Sequence, residues 1–161
     1  MSIMKTREYP CIIKGHKDGD TIVVDIDKGF SDWKHDVPLR LRKIDTAETD
    51  DPDPRIRAVG EAAKAFVQKM LVIGQEYMIQ THKIRNKEEQ EKFGRYVADF
   101  WVTRNGATTN QSLWPLTTIM TFEGYAVSYP KPINREALRE FHIQNYDKLV
   151  LARVIEPVPD A

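Results

Sequence analysis

Three short polar motifs carry the side chains in this sequence with chemistry to offer. They are Asp18-Gly19-Asp20-Thr21, then Arg40-Leu41-Arg42-Lys43-Ile44-Asp45-Thr46-Ala47-Glu48, then Glu91-Lys92-Phe93-Gly94-Arg95. Asp20, Asp45 and Glu48 supply carboxylates; Arg40 and Arg95 supply guanidinium forks. That inventory suits a site that holds a hard divalent cation and grips a phosphodiester. Carboxylates seat an ion that touches a phosphate oxygen and the incoming water. Cationic forks neutralise the charge that gathers on phosphorus-bound oxygens. A further carboxylate orders the water or takes its proton.

The expected roles follow from position. Asp20 is expected at the start of the second strand and Asp45 just past the end of the third. In a meander those ends lie side by side, where both could offer oxygens at about 2.3–2.6 Å to Ca²⁺, with the Thr46 carbonyl as a further ligand. No His or Cys stands in the set, which favours a hard metal over zinc. Glu48, in the turn beyond Asp45, is assigned to the attacking water. An extended chain from Arg40 to Asp45 would span roughly 16 Å, so the backbone must bend after Ile44 or a phosphate must lie between the two. Taken singly, each motif has an ordinary explanation. Asp-Gly is a common hairpin turn, alternating Arg and Leu suits a solvated strand over a core, and Gly94-Arg95 alone says little. The four histidines show no ligand spacing and read as surface or structural residues. Trp33, Trp101 and Trp114 read as packing residues. Order and register together give the set its weight.

These residues need a scaffold. At 161 residues the chain fits one domain, 1–161, with 1–9 and 155–161 as loose ends. Lys and Arg number 24 against 24 Asp and Glu, which argues against a protein that coats nucleic acid by bulk positive charge and leaves room for a local basic cleft. The one cysteine, Cys11, rules out an internal disulfide and reads as a buried thiol. The chain has no apolar run of membrane-spanning length and no secretory leader, so it reads as a cytoplasmic protein.

Strands are expected at Cys11–Lys17, Thr21–Asp27, Val37–Lys43, Glu76–Lys83 and Arg95–Val102, where β-branched residues and alternation concentrate. Between strands two and three, residues 28–36 read as a hairpin loop. A helix from about Arg57 to Ile73 carries Val59, Ala62, Ala63, Phe66, Met70 and Ile73 on one face, ended by Gly74. A second helix is expected over Leu113–Glu123 with Ser112 as its N-cap, and a third from Asn134 to about Leu149. Residues 84–92 are highly charged and read as a solvated loop. The order suits an α+β fold: a five-stranded OB-type β-barrel with three helices.

The motifs resemble those of the staphylococcal nuclease-like (thermonuclease) family, from about Cys11 to Gly124 and more loosely to Leu149. The matching segments are Asp18-Gly19-Asp20-Thr21, Arg40 through Thr49, the helix from Gly60 to Leu71 and Lys92-Phe93-Gly94-Arg95. Ser112-Leu113 and Gly124-Tyr125-Ala126 fit the weaker downstream pattern. The resemblance implies Ca²⁺-dependent cleavage of DNA or RNA that leaves 3′-phosphate ends. It implies metal ligation by Asp20, Asp45 and the Thr46 carbonyl, water direction by Glu48, and phosphate binding by Arg40 and Arg95. Asp18 matches an acid just outside the metal ligands, and Tyr129 is the nearest counterpart of a tyrosine that packs on the terminal nucleotide. Ala47 departs from the family's usual proline, and the closing Leu-Trp is absent. The acidic 50–53 loop would oppose a polyanion. The rival reading is a non-catalytic OB module that binds nucleic acid or protein; a third has the carboxylates holding only a structural cation. A monomer is expected. A nuclease in the cytosol would endanger its host, so restraint by scarce Ca²⁺, by a regulatory protein partner, or by service to a virus or mobile element is expected too.

Overall fold

The computed structural model describes residues 6–82, 96–104, 112–128 and 134–159. Among the described residues eight strands and three helices follow in the order β1 (Thr6–Asp18), β2 (Thr21–Asp27), β3 (Trp33–Leu41), β4 (Ile44–Asp45), α1 (Pro54–Met70), β5 (Glu76–His82), β6 (Tyr96–Thr103), β7 (Leu113–Pro115), α2 (Leu116–Glu123), β8 (Val127–Ser128) and α3 (Arg135–Leu151). The main sheet runs β3-β2-β1-β5-β6-β7, and a parallel pairing of β3 with β6 closes the first five into a ring. This is the expected α+β arrangement of the OB type, with α1 between the third and fourth strands of the ring. Among the described residues no helix is long and apolar enough to cross a membrane.

Alternation builds the interior. Cys11, Ile13, Ile22, Val24, Leu39, Leu41, Ile79, Ala98 and Phe100 turn inward and are almost wholly buried. Burial also pushes the Cys11 thiol up to about 12, so it is inert at neutral pH. A second, smaller cluster joins Ala47, Ile56 and Val59 to Tyr146 and Leu149 of α3. That cluster matters for function, because it clamps the segment that follows Asp45.

Several boundaries move. The first strand begins at Thr6, whose partner is His82, so residues 6–9 are paired rather than loose. At the other end, the Val158 amide donates to the Tyr146 hydroxyl at 2.9 Å. β3 starts at Trp33, because left-handed Phe30 and Ser31 beside Gly29 complete the hairpin in fewer residues than expected. α1 starts at Pro54, where Asp53 caps the Arg55 amide at 2.9 Å. Its buried stripe is Ile56, Val59, Gly60, Ala63, Val67 and Met70; Ile73 lies past the helix and is 61% exposed.

The second helix corrects the sequence reading most. Leu113–Pro115 is a strand on β6, so Ser112 caps nothing and α2 begins at Leu116. Pro115, at the cap position, has no side chain to offer. Asp99 of β6 takes over: it accepts the Thr117 amide at 3.2 Å, the Phe100 amide at 2.9 Å and the Thr117 hydroxyl. A cap supplied from a distant strand leaves no local sequence signal. Gly124, at φ 92°, ends the helix as expected.

Candidate active site

Two chain segments meet beside the ring. One is the Asp18-Gly19-Asp20 turn between β1 and β2. The Leu41 amide donates to the Asp20 carbonyl at 2.8 Å, and Thr21 stands opposite Arg40 in the β2–β3 ladder. That register brings Arg40 to Asp20: Nη2 lies 3.6 Å from Oδ2, with the side chains only 14% and 16% exposed. At this separation the contact is an ion pair rather than a hydrogen bond. The Thr21 hydroxyl also donates to Asp20 Oδ1 at 3.3 Å.

The other segment is Lys43–Glu48. Lys43 adopts a left-handed conformation, φ 54°, and turns the chain out of β3. The bend therefore falls before Ile44, not after it. β4 pairs Ile44 with Ser128 and Asp45 with Val127; Ile44 is buried and Asp45 is partly exposed. A β-carbon added to Gly19 would stand 3.2 Å from the Thr46 hydroxyl oxygen. Glycine at 19 thus lets the acidic turn settle against the residue that follows Asp45.

Glu48 records this crowding. Its side chain is exposed, yet partial loss of water raises its carboxyl above the usual carboxylate range, and the nearby charges of Asp45, Asp50, Asp20 and Asp18 raise it further. The acids of the first two motifs therefore gather around one locality. Arg40 is there as well. Arg95 and Tyr129 lie outside the described residues, as do the rest of the third motif and the charged 84–92 stretch.

One neighbour escaped the sequence reading. His142 of α3 places Nε2 2.7 Å from Asp45 Oδ2, and its side chain is only 4% exposed. The two residues are 97 positions apart, so no spacing could reveal the pair. Burial alone hints at it, since His142 shares the α3 face of Tyr146 and Leu149.

The acidic loop is also quieter than its composition implies. Asp51 is buried and paired with Arg139 of α3. Burial pushes its carboxyl up, but the Asp53 amide at 2.8 Å and Arg139 outweigh that, and the net shift is downward. Asp53 is held by Arg55, bidentate at 3.2 and 2.9 Å, which lowers its carboxyl as well. Two of the loop's three acids are thus neutralised locally.

Among the described residues no three His, Cys, Asp or Glu side chains gather as a ready metal cage. The donor chemistry present is two carboxylates, Asp20 and Asp45, beside the Thr46 backbone, with the His142 nitrogen committed to Asp45. An oxygen-only set with few protein ligands fits a hard cation that keeps waters in its shell.

Known proteins share this sequence pattern. The family described as Staphylococcal nuclease homologue matches residues 38–149. A thermonuclease of Staphylococcus intermedius is 32% identical over 94 residues, covering 56% of this chain and 48% of the relative. The chain thus spans about half the length of that curated relative. With more than half of its own length matched by the family and the OB-type ring in place, the chain belongs to the staphylococcal nuclease homologue family.

Proposed function

We propose that this protein is a Ca²⁺-dependent phosphodiesterase that cleaves DNA or RNA and leaves 3′-phosphate ends. The observation that carries the reading is the settling of the Asp18-Gly19-Asp20 turn on Thr46, with Arg40 paired to Asp20. Two acidic segments, one in the β1–β2 turn and one in β4, reach one place, and a guanidinium comes with them. Family membership and the thermonuclease relative support the same reaction class.

In this reading Asp20, Asp45 and the Thr46 carbonyl hold the ion, with Asp18 adding negative charge behind them. The bound ion supplies Lewis acidity and charge neutralisation at the phosphate. Arg40 and Arg95 grip the phosphate's remaining oxygens. Glu48 accepts a hydrogen bond from the attacking water and takes its proton as the oxygen bonds to phosphorus. The ion's charge would offset the repulsion among Asp45, Asp20, Asp18 and Glu48, so binding of the ion and ionisation of Glu48 favour each other. Tyr129 is the proposed contact for the terminal nucleotide. The protein acts as a monomer in the cytoplasm, and a regulatory partner or scarce free Ca²⁺ restrains it.

A defined oligonucleotide incubated with Ca²⁺, with and without chelator, tests this. Cleavage that needs Ca²⁺ and yields phosphatase-sensitive 3′ ends is expected. Binding without cleavage under every divalent ion would make the protein a non-catalytic OB module instead.

A further inference from the structure

We propose that His142 is a positioning residue for Asp45, holding one carboxylate oxygen so that the other stays turned to the cation. The inference rests on the Ca²⁺ reading above and concerns how the ligand is oriented, not whether the site exists.

Asp45 sits in a strand of only two residues, paired with another of two. So short a ladder restrains the backbone but leaves the carboxylate free to rotate. The restraint on rotation comes from α3. A carboxylate oxygen can only accept, so His142 Nε2 carries the hydrogen and donates to Oδ2 at 2.7 Å. Hydrogen bonds to a ligating carboxylate tune metal sites by fixing the ligand's orientation.

Among the described residues, His142 has no other side-chain hydrogen bond to justify its burial. Its Nδ1 is buried without a hydrogen-bond partner. A residue present only for packing would be better served by leucine, which leaves no polar atom stranded. The fold thus tolerates an unsatisfied nitrogen, and what the histidine does in return is hold Asp45. The helix that presents His142 is itself well anchored. Tyr146 and Leu149 pack with Ala47, and Arg139 holds Asp51, so α3 grips the 45–51 segment at three levels.

The test compares wild type, His142→Leu and His142→Gln as full chains, measuring Ca²⁺ affinity by calorimetry and ion-free stability by denaturation. His142→Leu is expected to weaken Ca²⁺ binding about 10–100-fold while ion-free stability holds or rises. His142→Gln, which keeps a donor near the Nε2 position, should recover most of the affinity. A purely structural role predicts the opposite pattern: lower stability with unchanged affinity. Folded His142→Leu binding Ca²⁺ as tightly as wild type would overturn the inference and leave the Ca²⁺ reading standing. Should His142→Leu not fold, His142→Met, another side chain without a donor, decides: binding weakened about tenfold or more supports the inference, and wild-type affinity overturns it. A wild type that binds no Ca²⁺ sinks both readings together.

Discussion

Gly60 of α1 lies against Ala47 so closely that a β-carbon at position 60 would stand 2.5 Å from the Ala47 carbonyl oxygen and 3.1 Å from the Glu48 carbonyl carbon. The helix and the Glu48 turn touch backbone to backbone, and no flexible side chain can yield. Two effects oppose each other in Gly60→Ala. Helix propensity favours alanine by about 1 kcal/mol, while forced overpacking typically costs about 1–3 kcal/mol. Because the clash is with backbone, the overpacking should win. We expect Gly60→Ala to lose net stability in denaturant unfolding, and to lose nuclease activity out of proportion because Glu48 is displaced. A variant as stable and active as wild type would show that the turn shifts freely.

The second prediction concerns Glu48 itself. Its carboxyl is raised above the ordinary 4.5 by partial desolvation and then by four neighbouring aspartates. A raised carboxyl means that the folded chain binds this proton more tightly than the unfolded chain. Its contribution is therefore most favourable below pH 4.5 and is lost as pH climbs through the raised folded value. Glu48→Gln removes the charge, so without Ca²⁺ the variant should gain stability at neutral pH and show a flatter pH dependence across that window. The same variant should be nearly inactive with Ca²⁺ present. Thermal melts in chelator across pH check the first part, and cleavage assays the second.

How much of this is legible in the sequence depends on the range of each signal. The Asp18-Gly19-Asp20 turn, β2 and the core of α1 are readable because turn residues, β-branched runs and helical periodicity are local. The meeting of Asp20 with the Asp45 segment follows from meander logic, and Gly19 against Thr46 accords with it. The start of α2 is not readable because its cap is Asp99, carried on a strand far away in sequence. His142 and Arg139 are invisible for the same reason: they meet Asp45 and Asp51 across 97 and 88 positions, and α3's mixed polar and apolar face hides which residues turn inward. The acidic loop misleads in the other direction. Composition suggests open negative charge, whereas Arg139 and Arg55 offset most of it.

Arg139 gives a third prediction. Asp51 is buried, and its carboxyl lies below the ordinary 3.8 because the Asp53 amide and Arg139 together outweigh its burial. A depressed carboxyl contributes stability that is present above 3.8 and disappears as pH falls through the lower folded value. Arg139→Ala leaves Asp51 with the Asp53 amide but without its cation, which should cost about 1–3 kcal/mol at neutral pH. Because less of that pairing remains to be lost in acid, the gap between variant and wild type should narrow below pH 3.8. Denaturant titrations at the two pH values measure this. An unchanged gap would mean that the loss comes from helix packing, not from the ion pair.

Arg40 gives the last. It pairs with Asp20 at 3.6 Å, outside hydrogen-bond range, and the β2–β3 register that places it is made by backbone rather than by the ion pair. Replacing it should therefore disturb catalysis more than folding. Lysine keeps the charge but loses the planar fork that meets two phosphate oxygens at once. If Arg40 acts on charge that develops during cleavage, Arg40→Lys should lose about 2.7–4 kcal/mol of transition-state stabilisation, two to three orders of magnitude in kcat. Equal binding before the transition state would leave KM nearly unchanged. Steady-state kinetics beside a melting curve separate these outcomes. A rise in KM with kcat intact would reassign Arg40 to substrate binding, and a collapse of the melt would make its pairing with Asp20 structural.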